Sequence, residues 1–135
     1  MIDVEINSVP ISCINTAAIT YSIPSALIIS ILKKEHGKIG EIRENKNGSY
    51  DYGVYQINSI WLKKIEPFGY TKNDILYDPC KSTMVASWII AKGLAETDDL
   101  WTGVGYYHSY TSKYNQSYNQ SIQKDYKKIV DIIHA

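Results

Sequence analysis

Along most of this 135-residue chain the apolar residues keep helical spacing, and one short interior stretch that breaks it constrains the fold most. Residues 24–36 run Pro-Ser-Ala-Leu-Ile-Ile-Ser-Ile-Leu-Lys-Lys-Glu-His, with Ile28, Ile31 and Leu32 on one stripe. At Asn47-Gly48, a tight-turn pair, the period switches to two: Tyr50, Tyr52 and Val54 alternate with Asp51, Gly53 and Tyr55. Helical spacing returns at Ile57, Ile60, Trp61, Ile65 and Phe68, and Gly69 closes that segment. The pattern predicts a mainly α domain with a small β-hairpin lobe inserted after the second helix.

The remaining segments fill in the frame. Ile2, Val4 and Ile6 alternate with Asp3 and Glu5, a short extended start, before a helix over 11–22 with Ile14, Ala17, Ala18 and Tyr21 on one face. The second helix is expected to begin with Pro24 in its first position and to end near His36, with Gly37 as a left-handed cap. Asp78-Pro79 opens another, carrying Met84, Val85, Trp88, Ile89 and Lys92, a stripe read as core. A helical stretch over 98–108 follows. The tandem Tyr114-Asn115-Gln116-Ser117, Tyr118-Asn119-Gln120-Ser121 is too short for a repeat architecture. With Ile122, Tyr126, Ile129 and Ile133 it reads as an amphipathic helix, making six helical segments and one hairpin.

At this length one domain, residues 1–135, buries a sizeable core without a metal. Fourteen basic and fourteen acidic residues cancel, with seven of each sign in residues 1–67 and again in 68–135. No basic surplus is present to neutralise phosphates or an anionic bilayer, which argues against nucleic-acid and membrane-surface binding. The longest apolar stretch, Ala26 to Leu32, is far too short for a membrane span. The first 32 residues hold no Lys or Arg, so no signal peptide is read in this chain. Two compartments stay open: a cytosolic protein, or a mature exported domain with Met1 added. Cys13 and Cys80, if bridged, close a loop worth roughly 4 kcal/mol; otherwise they are two buried thiols.

His36, His108 and His134 are scattered and form no metal-ligand spacing, and no phosphate loop, dinucleotide fingerprint or serine-hydrolase elbow occurs. No cofactor is expected. Carboxylate chemistry remains. Glu35 continues the stripe of Ile28, Ile31 and Leu32 at i+7, where lost solvation and the negative end of the helix dipole both favour its protonated form. The other outcome open to it is escape to solvent at a frayed helix end. Asp51 follows on a polar hairpin beside Asn47, Ser49 and Asn58. One carboxyl in a dry setting and one in a wet setting is the arrangement that separates two proton affinities, as glycoside cleavage requires. Twelve tyrosines and three tryptophans suit a sugar groove, although most such residues in a chain of this size pack in cores.

Four blocks carry a resemblance: Ile23-Pro24-Ser25-Ala26-Leu27-Ile28 leading to Glu35; Asn47-Gly48-Ser49-Tyr50-Asp51-Tyr52-Gly53-Val54-Tyr55-Gln56-Ile57-Asn58; Asp78-Pro79-Cys80; and Trp101-Thr102-Gly103-Val104-Gly105-Tyr106-Tyr107-His108-Ser109. Over roughly residues 12–112 the chain resembles the soluble lytic transglycosylases of the lysozyme superfamily, and among them the small members that accompany secretion, conjugation and pilus assembly. The resemblance implies an α+β lysozyme-like fold with the β-hairpin lobe beside an active-site cleft. It implies Glu35 as the catalytic acid and base, and Asp51 as a second carboxyl that lysozymes use and most transglycosylases lack. Gly53, Tyr55, Gln56, Ile57, Asn58, Tyr107 and His108 are implied glycan contacts, with Tyr55 stacking on a sugar and Tyr107 against the catalytic carboxyl. It also implies a Cys13–Cys80 bridge. The family usually places Ser after the catalytic Glu and Asn after the later Tyr; here His36 and His108 stand there.

The implied substrate is peptidoglycan, cut between N-acetylmuramic acid and N-acetylglucosamine, with a secretion or pilus component as partner and an exported, periplasmic setting. A hydrolytic muramidase and a low-turnover peptidoglycan-binding assembly factor are the alternative readings.

Overall fold

The computed structural model describes residues 3–134. The expected start at Ile2 lies outside them; within them, β1 (Glu5–Ile6) and β2 (Val9–Pro10) form a small antiparallel hairpin. Helix α1 (Ile11–Tyr21) follows directly and buries Ile14, Ala17 and Ala18. Helix α2 (Ser25–Glu35) is the central element: every residue from Ala26 to Leu32 is buried, so it is apolar on all sides rather than on one stripe. Ser30, the polar residue in that run, donates its hydroxyl to the Ala26 carbonyl at 2.6 Å.

Both ends of α2 differ from the sequence expectation. Pro24 is the N-cap, because its ψ of 137° is extended, and Ser25 is the first helical residue. At the other end His36, not Gly37, takes the left-handed conformation, with φ 51° and ψ 40°, and its N–H closes on the Leu32 carbonyl. Gly37 serves a different need. A Cβ there would stand 2.0 Å from the Gly53 carbonyl oxygen, and its N–H donates to Val54 O at 3.2 Å. The glycine is required by a backbone crossing, not by a turn of the helix.

That crossing seats the β-lobe. The lobe is a three-stranded antiparallel sheet: β3 (Ile42–Glu44), β4 (Tyr50–Tyr52) and β5 (Ile57–Asn58), with Arg43 opposite Asp51 and Asp51 opposite Asn58. Asn47-Gly48 makes the turn between β3 and β4, as the sequence suggests; Gly48 has φ 85° and donates to the Asn45 carbonyl. Strand β3, with every side chain exposed, has no apolar pattern and was not legible.

The helical segment after the lobe is a short α3 (Leu62–Ile65) between two 3-10 turns. Helix α4 (Lys72–Tyr77) is additional to the six segments read from periodicity. Its signal was local: Thr71 and Asp74 form a reciprocal capping box. Helix α5 (Pro79–Ala95) is capped by Asp78, whose carboxylate accepts from the Cys80 and Lys81 amides. Helix α6 (Leu100–Gly105) and helix α7 (Ser112–Ile133) complete the chain. Helices α1, α2, α5, α6 and α7 pack around one apolar core, reached from the lobe by Tyr52, Val54, Tyr55 and Ile57. The arrangement is α+β and lysozyme-like.

Cys13 on α1 and Cys80 at the start of α5 form a disulfide, with Cα atoms 5.2 Å apart. It closes a long loop that contains α2 and the whole lobe. Replacing either cysteine by serine is expected to lower unfolding free energy by roughly 4 kcal/mol. Urea titrations of wild type, oxidised and reduced, against Cys80→Ser measure this.

Candidate active site

Glu35 is the last residue of α2 and stands where that helix meets the lobe. The left-handed turn at His36 ends the helix there and leaves Glu35 lining a cleft of about 990 Å³. Burial pushes the Glu35 carboxyl up from 4.5 to about 7. The Tyr118 hydroxyl, donating to Oε2 at 2.7 Å, draws it back, the Asp51 charge adds to the rise, and Lys34 and Arg43 oppose it. The guanidinium of Arg43 also makes long hydrogen bonds, 3.4 and 3.3 Å, to the carbonyls of Glu35 and His36. It thereby covers oxygens that the helix end leaves unpaired.

Asp51 lies across the cleft on β4 in a connected polar network. The Asn58 amide donates to Asp51 Oδ1 at 2.9 Å and to Ser49 Oγ at 3.1 Å. Ser49 in turn accepts from Asn45 and donates to Asn47 Oδ1. The Asn-Gly turn and the hairpin register bring these short side chains together, so the second carboxyl is held on a rigid wall.

The other residues implied by the resemblance divide into two groups. Gln56, Asn58, Tyr107 and His108 line the cleft with the two carboxyls. Gln56, in a left-handed conformation (φ 51°), donates its amide to Gly53 O at 2.9 Å, and its buried Oε1 has no partner among the described residues. Tyr55 is a correction. It is fully buried, and its hydroxyl donates to Thr83 Oγ1 at 2.8 Å, whose own proton goes to the Pro79 carbonyl. No face of that ring is open to a sugar. Ile57 is a core residue, and Gly53 is buried with φ 73°, its Cα backed against the Ile75 carbonyl where a Cβ would approach to 2.2 Å. Gly53, Tyr55 and Ile57 form the wall's backing and not its surface.

Tyr107 also differs in detail. Its hydroxyl donates to the Tyr55 carbonyl at 2.8 Å, and the hydrogen bond to Glu35 comes from Tyr118. Burial holds both phenols well above their usual range, so each remains a donor. His108 lies flat on Tyr118, with ring centroids 4.8 Å apart and planes 3° from parallel, and burial holds its imidazole below the usual value. Tyr118 was missed in the sequence. Its signal was the tandem: a four-residue repeat on a helix puts like residues on one face. The asparagines of the tandem are structural. Asn115 donates to the Thr102 and Ser109 carbonyls, and Asn119 to Asn115, fastening α7 to α6.

A half-buried glutamic acid at a helix end and an aspartate on a small β-lobe thus share one polar cleft. Residues 12–130 match the family model of the transglycosylase SLT domain, and the chain belongs to that family of lytic transglycosylases. It is similar to Protein IpgF of Shigella flexneri, 34% identical over 101 residues, covering 74% of this chain and 66% of IpgF. Similarity to Invasion protein IagB of Salmonella typhimurium is 33% over 109 residues, 80% of this chain and 68% of IagB. A "Peptidoglycan-binding-like protein" of Escherichia coli O157:H7 is 31% identical over 108 residues, 73% of this chain and 64% of that protein. The chain thus spans about two thirds of the length of these relatives.

Two outcomes follow from the electrostatics of Glu35. Its folded-state affinity for a proton exceeds that of the unfolded chain, so between pH 4.5 and about 7 the native state holds a proton that the unfolded state has lost. Stability is therefore highest below pH 4.5 on this account and falls as pH rises through about 7. Glu35→Gln, which still accepts from Tyr118, is expected to gain on wild type by roughly 3 kcal/mol between pH 4 and pH 8. Denaturant midpoints across that range test this. Tyr118→Phe removes a bond that favours the carboxylate, and a carboxyl-carbon NMR titration should place Glu35 above its wild-type value.

Proposed function

We propose that this domain cleaves the β-1,4 bond between N-acetylmuramic acid and N-acetylglucosamine of peptidoglycan without consuming water, leaving 1,6-anhydro-muropeptides. The observation that carries the reading is Glu35: a carboxyl raised to about 7, opening on a polar cleft, keeps a large protonated fraction at neutral pH. As acid, it gives its proton to the glycosidic oxygen while the C1–O bond breaks. The 2-acetamido oxygen of the muramoyl sugar supports C1, so no enzyme nucleophile is needed. The Glu35 carboxylate then takes the proton of the C6 hydroxyl, whose oxygen closes on C1 and restores the acid.

Asp51 stabilises positive charge developing at the sugar, with Gln56, Asn58, Tyr107 and His108 as glycan contacts. An anionic wall polymer gains no broad attraction from a chain of zero net charge, so recognition rests on this cleft. The domain acts in the periplasm, where its disulfide persists. By likeness to a protein named for invasion, it opens the wall locally for a secretion, conjugation or pilus assembly and is directed there by a component of that machine.

Asp51 favours a second reading. It lines the same cleft as Glu35, on the β-lobe, and would serve as the second carboxyl of a hydrolytic muramidase. Product analysis on purified sacculi decides. Anhydro-muropeptides by mass spectrometry are expected from wild type; reducing ends alone would establish hydrolysis. Glu35→Gln should lower the rate by about a hundredfold or more, and unchanged cleavage would rule out catalysis by this residue. Wild-type activity should decline as pH rises through about 7, where the acid form is lost.

A further inference from the structure

The Tyr-Asn-Gln-Ser tandem places its two tyrosines one turn apart on the same face of α7. Tyr118 meets Glu35. Tyr114 meets nothing of the kind: it is 55% exposed and lines the same cleft, one helical turn (about 5 Å) along. A hexosamine unit in a β-1,4 chain advances by a similar length. Tyr106 and Tyr110 line the same cleft, stacked with centroids 4.4 Å apart and planes 16° from parallel. Tyr110 is 58% exposed and is anchored by its hydroxyl, which donates to Glu96 at 3.0 Å. Lys113 stands over one face of Tyr114, 5.8 Å from the ring centre.

None of these three rings packs into the apolar core. The exposed rings of Tyr110 and Tyr114, with half-buried Tyr106 stacked on Tyr110, match in a polar cleft the chemistry of a sugar, whose ring carbons present an apolar face while its hydroxyls stay wet. We propose that Tyr106, Tyr110 and Tyr114 form a stacking platform for an N-acetylhexosamine unit next to the pair being cleaved, an added subsite that extends the cleft. The inference rests on the glycan-cleaving reading above and concerns binding only.

Glu35→Gln protein separates binding from turnover. Its dissociation constant for the N-acetylglucosamine hexamer is measured by titration calorimetry, alone and with Tyr110→Ala plus Tyr114→Ala. The paired alanine variant should bind about tenfold more weakly, while Tyr110→Phe plus Tyr114→Phe, which keeps both rings, retains affinity. Unchanged affinity of the alanine variant overturns the platform, as does an equal loss in the phenylalanine variant, which would assign the effect to the hydroxyls. If the alanine variant loses binding of the free stem tetrapeptide and not of the hexamer, the rings hold peptide and the proposal fails. Absence of hexamer binding to Glu35→Gln sinks it too. The glycan-cleaving reading stands or falls separately, on whether wild type releases anhydro-muropeptides from sacculi.

Discussion

The backbone of Gly53 passes so close to Gly37 that Gly37 has no room for a side chain, and the Gly37 N–H is bonded to the Val54 carbonyl. This contact ties the end of α2 to the β-lobe, and the cleft exists because of it. A methyl group at Gly37 would push the lobe away from the helix end, since the opposing atoms are backbone. The helix must therefore stop at Glu35, the left-handed turn falls on His36, and the carboxyl is left at the junction of an apolar helix and a polar sheet.

From that junction follow the electrostatics. Glu35 is held by desolvation in the state that donates a proton, at a cost to native stability above pH 4.5. A single hydrogen bond from Tyr118 keeps the carboxyl oriented and limits the rise. Asp51 has the opposite environment, with Asn58 donating to it and Ser49, Asn45 and Asn47 fixing that donor. The two carboxyls stand in contrasting surroundings, a desolvated helix end for Glu35 and a hydrogen-bonded strand for Asp51.

The helical frame and the lobe were legible because periodicity records burial directly. The strand β3 was not, since an edge strand with all side chains exposed carries no alternation, and α4 was overlooked although Thr71 and Asp74 mark its start. Tyr55 misled in the other direction. The family resemblance implied that Tyr55 stacks on a sugar, but its partner Thr83 lies 28 residues on, in a helix whose packing no local pattern reveals.

What the sequence determined by itself is the set of elements and the kind of chemistry: helices, one turn at Asn47-Gly48, two carboxyls in contrasting settings, and four blocks with a family likeness. What the tertiary structure decided is which side chains meet. Tyr118 reaches Glu35 across 83 residues, Tyr107 turns instead to the Tyr55 carbonyl, and Gly37 is required by a crossing rather than by a cap. Local spacing fixes the face on which a residue lies. The partner facing it depends on how separate elements pack, and here that packing is set by the core around α2 and by a backbone contact with no room for a side chain.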